Sequence, residues 1–141
     1  MKKLSLIFLV IFTLSPFRAN AEVQLLKYPE NEHKVFLSAE EYYKKEKLHD
    51  YHEFKKATFS LRKKLLYKNL EKVLKNESSD KIDYKIFHNL FAHKHSQVSP
   101  NRQVYLYCSV IETKDDLQYK FIMIDAETSE LLVEGDGTHY K

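Results

Sequence analysis

The side chains in this chain best able to do chemistry are its imidazoles. There are seven histidines, and the run His49-Asp50-Tyr51-His52-Glu53 sets two of them and a carboxylate at intervals of three and four. On a helix those intervals would bring His49, His52 and Glu53 to one side, a donor set that suits Zn or Cu. His88, His93 and His95 could supply the remaining ligands if two helices pack as a hairpin. The H-E-x-x-H pattern of zinc hydrolases does not occur. The imidazoles therefore permit a transition-metal carrier, whereas solvated histidines on a polar face are the simpler reading. The expectation is no cofactor, with Zn or Cu as the alternative.

Nucleophilic chemistry is poorly provided for. Cys108 is the single cysteine, and it alternates with Val104, Leu106 and Val110, which makes it a small buried hydrophobe. One cysteine excludes both a C-x-x-C redox pair and a cysteine zinc cluster. Ser99 and Ser109 have no elbow or paired base. Glu127 and Glu130 share a turn, which is not two acids set across a cleft. Gly135-Asp136-Gly137 has too few glycines to cradle a phosphate and reads as a tight turn. The chain is expected to be non-enzymatic.

Two features favour contact with another macromolecule. The first is ten tyrosines, side chains that combine wide apolar area with one polar handle. Tyr105 and Tyr107 share a strand face opposite the cleaner apolar one, where packing under the helices would explain them equally well, and the doublet Tyr42-Tyr43 and Tyr140 are further candidates. The second is segregated charge. Lys55, Lys56, Arg62, Lys63, Lys64, Lys68, Lys72 and Lys75 face only Glu71, while 112–136 is strongly acidic. Lys56, Lys63, Lys64 and Lys68 would then offer diffuse attraction to an anionic surface, because lysine, unlike arginine, does not read phosphate bidentately. A solvated face, or pairing of the basic and acidic stretches within the fold, would explain the same segregation.

The elements that must position these residues begin after a leader. Residues 1–21 combine Lys2 and Lys3, an apolar run from Leu4 to Leu14, and Ala19-Asn20-Ala21, the layout of a secretory signal cleaved near Ala21. The apolar run falls short of the ~20 residues that span a bilayer. The expected location is the periplasm or the exterior, and the folded part is one small domain over 22–141. The leader holds Lys2, Lys3 and Arg18, so the whole-chain charge of +3 belongs to it. A basic total is thus no argument for nucleic acid, and no transmembrane segment is expected.

Val23–Leu26 and Val35–Leu37 form either a hairpin or a loose arm. Ser38 with Glu41 makes a capping box, and 39–75 contains neither glycine nor proline. The spacing predicts a helix there, which unbroken would exceed ~50 Å, so a break is expected near Thr58-Phe59-Ser60. A second helix is expected from Asp80 to about His95. From Arg102 the period changes to two: Val104 to Val110, then Leu117, Tyr119, Phe121 and Met123, then Leu131–Val133, joined by short turns. This predicts an antiparallel meander. The fold class is α+β, two-layer, a helical hairpin on three strands, or on four or five if the arm joins.

Ile124-Asp125-Ala126-Glu127-Thr128-Ser129-Glu130-Leu131-Leu132 resembles the last hairpin of PepSY-type secreted domains, which carry D-A-x-T-G-x-(V/L). Ser129 stands in place of the glycine. The resemblance covers about nine of 141 residues; it implies a hairpin and no function. The function expected is an exported protein-interaction domain, such as an inhibitor, an immunity factor or an envelope accessory protein. The partner would be another envelope or secreted protein. The alternatives are a periplasmic carrier of a small ligand or transition metal, and a self-associating envelope structural protein.

Overall fold

The computed structural model describes residues 25–46, 48–78, 84–87 and 96–141. The leader at 1–21 and His88, His93 and His95 lie outside the described residues. Four strands form one antiparallel sheet in chain order: β1 (Phe59–Leu66), β2 (Gln103–Glu112), β3 (Asp116–Asp125) and β4 (Leu131–Tyr140). Helix α1 (Ala39–Lys45) precedes β1, and α2 (Leu70–Glu77) follows it after a 3-10 turn. No helix among the described residues is long and apolar enough to cross a membrane. The α+β meander is therefore present, with four strands.

The expected helix over 39–75 is corrected. Its first turns are α1, where the Ser38 hydroxyl accepts the Glu41 N–H and the Glu41 carboxylate accepts the Ser38 N–H. Its last turns are α2. Between them the chain leaves the helix and forms β1. Leu61 and Leu65 are four apart, and four is a multiple of the strand period as well as close to one helical turn. They are buried, whereas Ser60 and Lys63 are exposed. The segment is a strand because β2 would otherwise present an open ladder, and Phe59 to Leu66 pair with Val110 to Gln103 along its full length. Of the predicted second helix, Tyr84–Phe87 is a 3-10 turn. The helical hairpin is not confirmed: its first arm is divided into α1 and α2, which join different hydrophobic clusters, and most of its second arm lies outside the described residues.

Those clusters lie on opposite faces of the sheet. On one face Val104, Leu106, Cys108, Val110, Leu117, Phe121 and Met123 pack with Leu70 and Leu74 of α2 and with Phe87. On the other, Tyr105, Tyr107, Ile122 and Ile124 pack with Ala39 and Tyr42 of α1 and with Leu48 and Tyr51 from the loop before β1. That second layer explains why tyrosine and isoleucine occupied the nominally outer face. The arm from 25 to 37 is anchored and forms no hairpin among the described residues. Tyr28 makes one parallel bridge to Val98, and the Gln103 amide donates to the carbonyls of Asn31 and Lys34, each at 2.8 Å.

A buried ion pair fixes that arm to the β3–β4 hairpin. Arg102 donates from Nε and Nη2 to the two oxygens of Asp125 at 2.6 and 2.8 Å, and from Nη1 to the Pro29 carbonyl at 2.8 Å. Asp125 in turn accepts the N–H groups of Glu127 and Thr128 at 3.0 and 2.8 Å, which closes the turn. Ser129 has φ 60°, the left-handed conformation for which glycine is the ordinary choice. The turn between β3 and β4 therefore takes this conformation with serine.

The last strand is longer than its sequence suggested. Gly135-Asp136-Gly137 does not form the expected turn: neither glycine has positive φ and both lie inside β4. The reason is on the neighbouring strand. Phe121 opposes Gly135 and Tyr119 opposes Gly137. A Cβ at Gly135 would lie 2.6 Å from Phe121 Cζ, and one at Gly137 would lie 2.6 Å from Tyr119 Oη. The aromatic rings cover the glycines, and Phe87 meets both rings edge-on at 5.9 and 6.1 Å.

Candidate functional site

Strand β4 ends the sheet, so among the described residues it pairs on one side only. The Lys141 N–H donates to the Asp115 carbonyl at 3.2 Å, and this sets the phase of the ladder. Within it, Val133, Gly135, Gly137 and His139 bond β3. The N–H and C=O groups of Glu134, Asp136, Thr138 and Tyr140 therefore point away from the sheet. A register shift beside Met123 and Ile124 bends the strand at its start and leaves the regular part from Val133 onward.

Side chains of the same residues line one face of a groove. Glu134, Asp136 and Thr138 line it together with Asp50, Tyr51, Phe54 and Lys120; the volume is about 600 Å³. Asp136 is opposite Lys120 in register. The ammonium nevertheless sits over the Phe54 ring, 4.3 Å from its centroid, and 5.9 Å from that of Tyr51. Among the described residues no ion pair engages Asp50, Glu134 or Asp136. The groove is acidic, backed by aromatic rings and bordered by backbone that has no ladder partner among the described residues. Tyr140 continues the strand with 77% of its surface exposed.

The residues singled out from sequence are placed differently. Tyr105 and Tyr107 are 1% and 0% exposed. Tyr105 stacks on Tyr42 at 4.2 Å and donates its hydroxyl to the Leu37 carbonyl at 2.9 Å; Tyr107 donates to the Ala39 carbonyl at 3.0 Å. Burial pushes the Tyr105 hydroxyl up to about 12, with Tyr42 and Glu41 adding to it, and pushes Tyr107 higher still. These side chains dock α1 onto the sheet. Tyr42 is buried with them, and Tyr43 is half-buried under the Arg62 guanidinium at 3.8 Å.

The lysine candidates do not form one helix face. Lys63 pairs with Glu77 at 2.9 Å, Lys64 donates to the Phe36 carbonyl at 2.7 Å, and Lys68 donates to Asn101 Oδ1 at 2.7 Å. Lys56 is exposed in the turn before β1. Part of the segregated charge is thus used within the fold. Arg62 adds to this: it donates to both oxygens of Glu53 at 2.7 and 2.8 Å and to Glu40 at 2.7 Å.

The metal candidates likewise change setting. His49 and His52 are exposed in an irregular loop, His49 with φ 50°, so helical intervals no longer bring them together. Glu53 is held by Arg62. Among the described residues no group of three or more His, Cys, Asp or Glu could hold a metal. Sequence reading missed Glu134 and Asp136 because two glycines suggested a turn. The signal that could have found them was the alternation Glu134, Asp136, Thr138 against Gly135, Gly137, with aromatics at matching spacing on β3.

The fold and its open edge thus define an α+β meander with an acidic flank. The chain matches no protein-family model, no curated protein and no solved structure.

Proposed function

We propose that the chain is an exported, non-enzymatic domain that binds another envelope or secreted protein, in the manner of an inhibitor, immunity factor or accessory protein. The observation that carries this reading is the regular edge of β4 with its outward backbone groups and exposed Tyr140. An unpaired strand edge is a ready template for a partner chain, and an exposed tyrosine at its end supplies the kind of anchor interfaces favour. The arrangement of buried tyrosines and the anchored arm supports a rigid platform for such contact. The leader pattern supports export.

The test is a photo-crosslinking amino acid placed at Thr138, on the edge, and separately at Lys44, on α1, in cells that export the chain. A discrete adduct to one protein from Thr138, absent from Lys44, is the expected outcome. Equal, diffuse adducts from both positions, with the protein folded, would remove the reading.

A further inference from the structure

We propose that the occupant of the β4 edge is an extended, lysine- or arginine-rich segment of another protein, added to the sheet as a fifth strand with its basic side chains over the groove. The inference rests on the protein-binding reading above and specifies its partner's chemistry. Backbone hydrogen bonds to Glu134, Asp136 and Thr138 would supply affinity without sequence preference, and side-chain alternation would supply the preference. One set of alternate side chains in an added strand falls on the same face as Glu134, Asp136 and Asp50. Among the described residues, three carboxylates there meet only Lys120, whose ammonium is turned to Phe54. The field on that face therefore selects cations, and the Phe54 and Tyr51 rings give a basic stem an apolar surface to lie on.

A second copy of this chain fits poorly. In an antiparallel β4–β4 pair centred on Gly135, Glu134 of one copy would oppose Asp136 of the other, and like charges directly opposite are destabilising. The basic strand that could complement β4 is β1, but its cations are engaged: Arg62 by Glu53 and Glu40, Lys63 by Glu77, Lys64 by the Phe36 carbonyl. The partner is consequently a different chain.

The probe is an acetylated, amidated octapeptide alternating valine and lysine, titrated into the purified chain and read by hydrogen exchange at β4. Saturable protection at Glu134, Asp136 and Thr138 is expected, with affinity about tenfold or more above that of the valine–glutamate counterpart. Methylating alternate backbone nitrogens of the lysine peptide should abolish the protection, which simple charge attraction would not require. The Glu134→Gln/Asp136→Asn pair, both sites exposed, should weaken binding about tenfold while leaving thermal unfolding unchanged. Equal binding of the methylated peptide, equal binding of the glutamate peptide, or dimerisation of the chain through β4 would each overturn the proposal. If the glutamate peptide alone protects β4, the charge assignment fails and the docking edge survives. If neither peptide protects β4 and Thr138 crosslinks to nothing, both readings fail.

Discussion

The most constrained residue in the fold is Arg102, 3% exposed at its side chain against a fully buried Asp125. Its guanidinium is satisfied by Asp125, the Pro29 carbonyl and Glu127, the last at 2.7 Å. Burial alone would raise the Asp125 carboxyl, but the Arg102 bond and the Thr128 and Glu127 N–H groups outweigh it and hold it below its ordinary value. Arg102→Met should therefore cost about 3–5 kcal/mol, because it leaves a buried carboxylate without its counter-charge. Asp125→Asn should cost less, since an amide oxygen can still accept the Thr128 N–H and Arg102 keeps Glu127. Urea denaturation of the two variants checks the order, and a costlier Asp125→Asn would contradict it. A carboxyl with a depressed folded value contributes stability that is complete above its unfolded pKa of 3.8 and lost as pH falls through the folded one. The acid limb of the stability–pH curve should accordingly be shallower in Asp125→Asn than in the parent.

At the scale of elements, the glycines of β4 are places where two strands fit by omission. Gly135→Ala should destabilise by about 1–3 kcal/mol through overpacking, because Phe121 is gripped by Phe87 and is 1% exposed. Gly137→Ala should cost somewhat less, since the nearest clashing atom is the terminal hydroxyl of Tyr119, a ring 9% exposed against 1% for Phe121. Thermal melts of both variants test this, and equal costs would show that the deeper burial of Phe121 does not set the difference. The same pair shows where sequence was readable. The meander of β2 and β3 was legible because Val104 to Val110 and Leu117 to Met123 alternate strictly. The capping box at Ser38 was legible because it is a local bond between residues three apart. Strand β1 was not, since Leu61 and Leu65 satisfy helix and strand spacing alike and only pairing with β2 decides between them. Nor was β4, because the void that makes Gly135 favourable is filled by Phe121, a residue on another strand. The charge segregation was visible, but its partners were not: Lys63 with Glu77 and Arg62 with Glu40 meet only after folding. The acidic edge is hidden in the sequence because Gly135 and Gly137 suggest a turn where β4 runs on as a strand.

Taken as a whole, the molecule buries its single thiol at the centre of a sheet covered on both faces. Cys108 is opposite Leu61 on β1 and Phe121 on β3, with no exposed surface, and burial pushes its thiol well above the ordinary range. Reaction of such a group requires the strands to part, so Cys108 is a reporter of global opening. Ellman's reagent should label it at least ~1,000-fold more slowly in native buffer than in the unfolded chain, as expected if opening costs a typical domain's stability. The natural logarithm of the labelling rate should rise linearly with urea at a slope of m/RT, where m is the equilibrium m-value. Rapid labelling, or a slope near zero, would mean that β2 is reached through local fluctuation and that the two-faced core is looser than its packing implies. The same burial bears on the oxidising compartment the leader predicts: a lone accessible cysteine there would form intermolecular disulfides, whereas Cys108 should leave the chain monomeric on a non-reducing gel after air oxidation. Binding at β4 would tighten this result further, because a ligand that recognises only the folded sheet lowers the open population by mass action. The lysine peptide should therefore slow labelling in proportion to its occupancy, and the glutamate peptide should not.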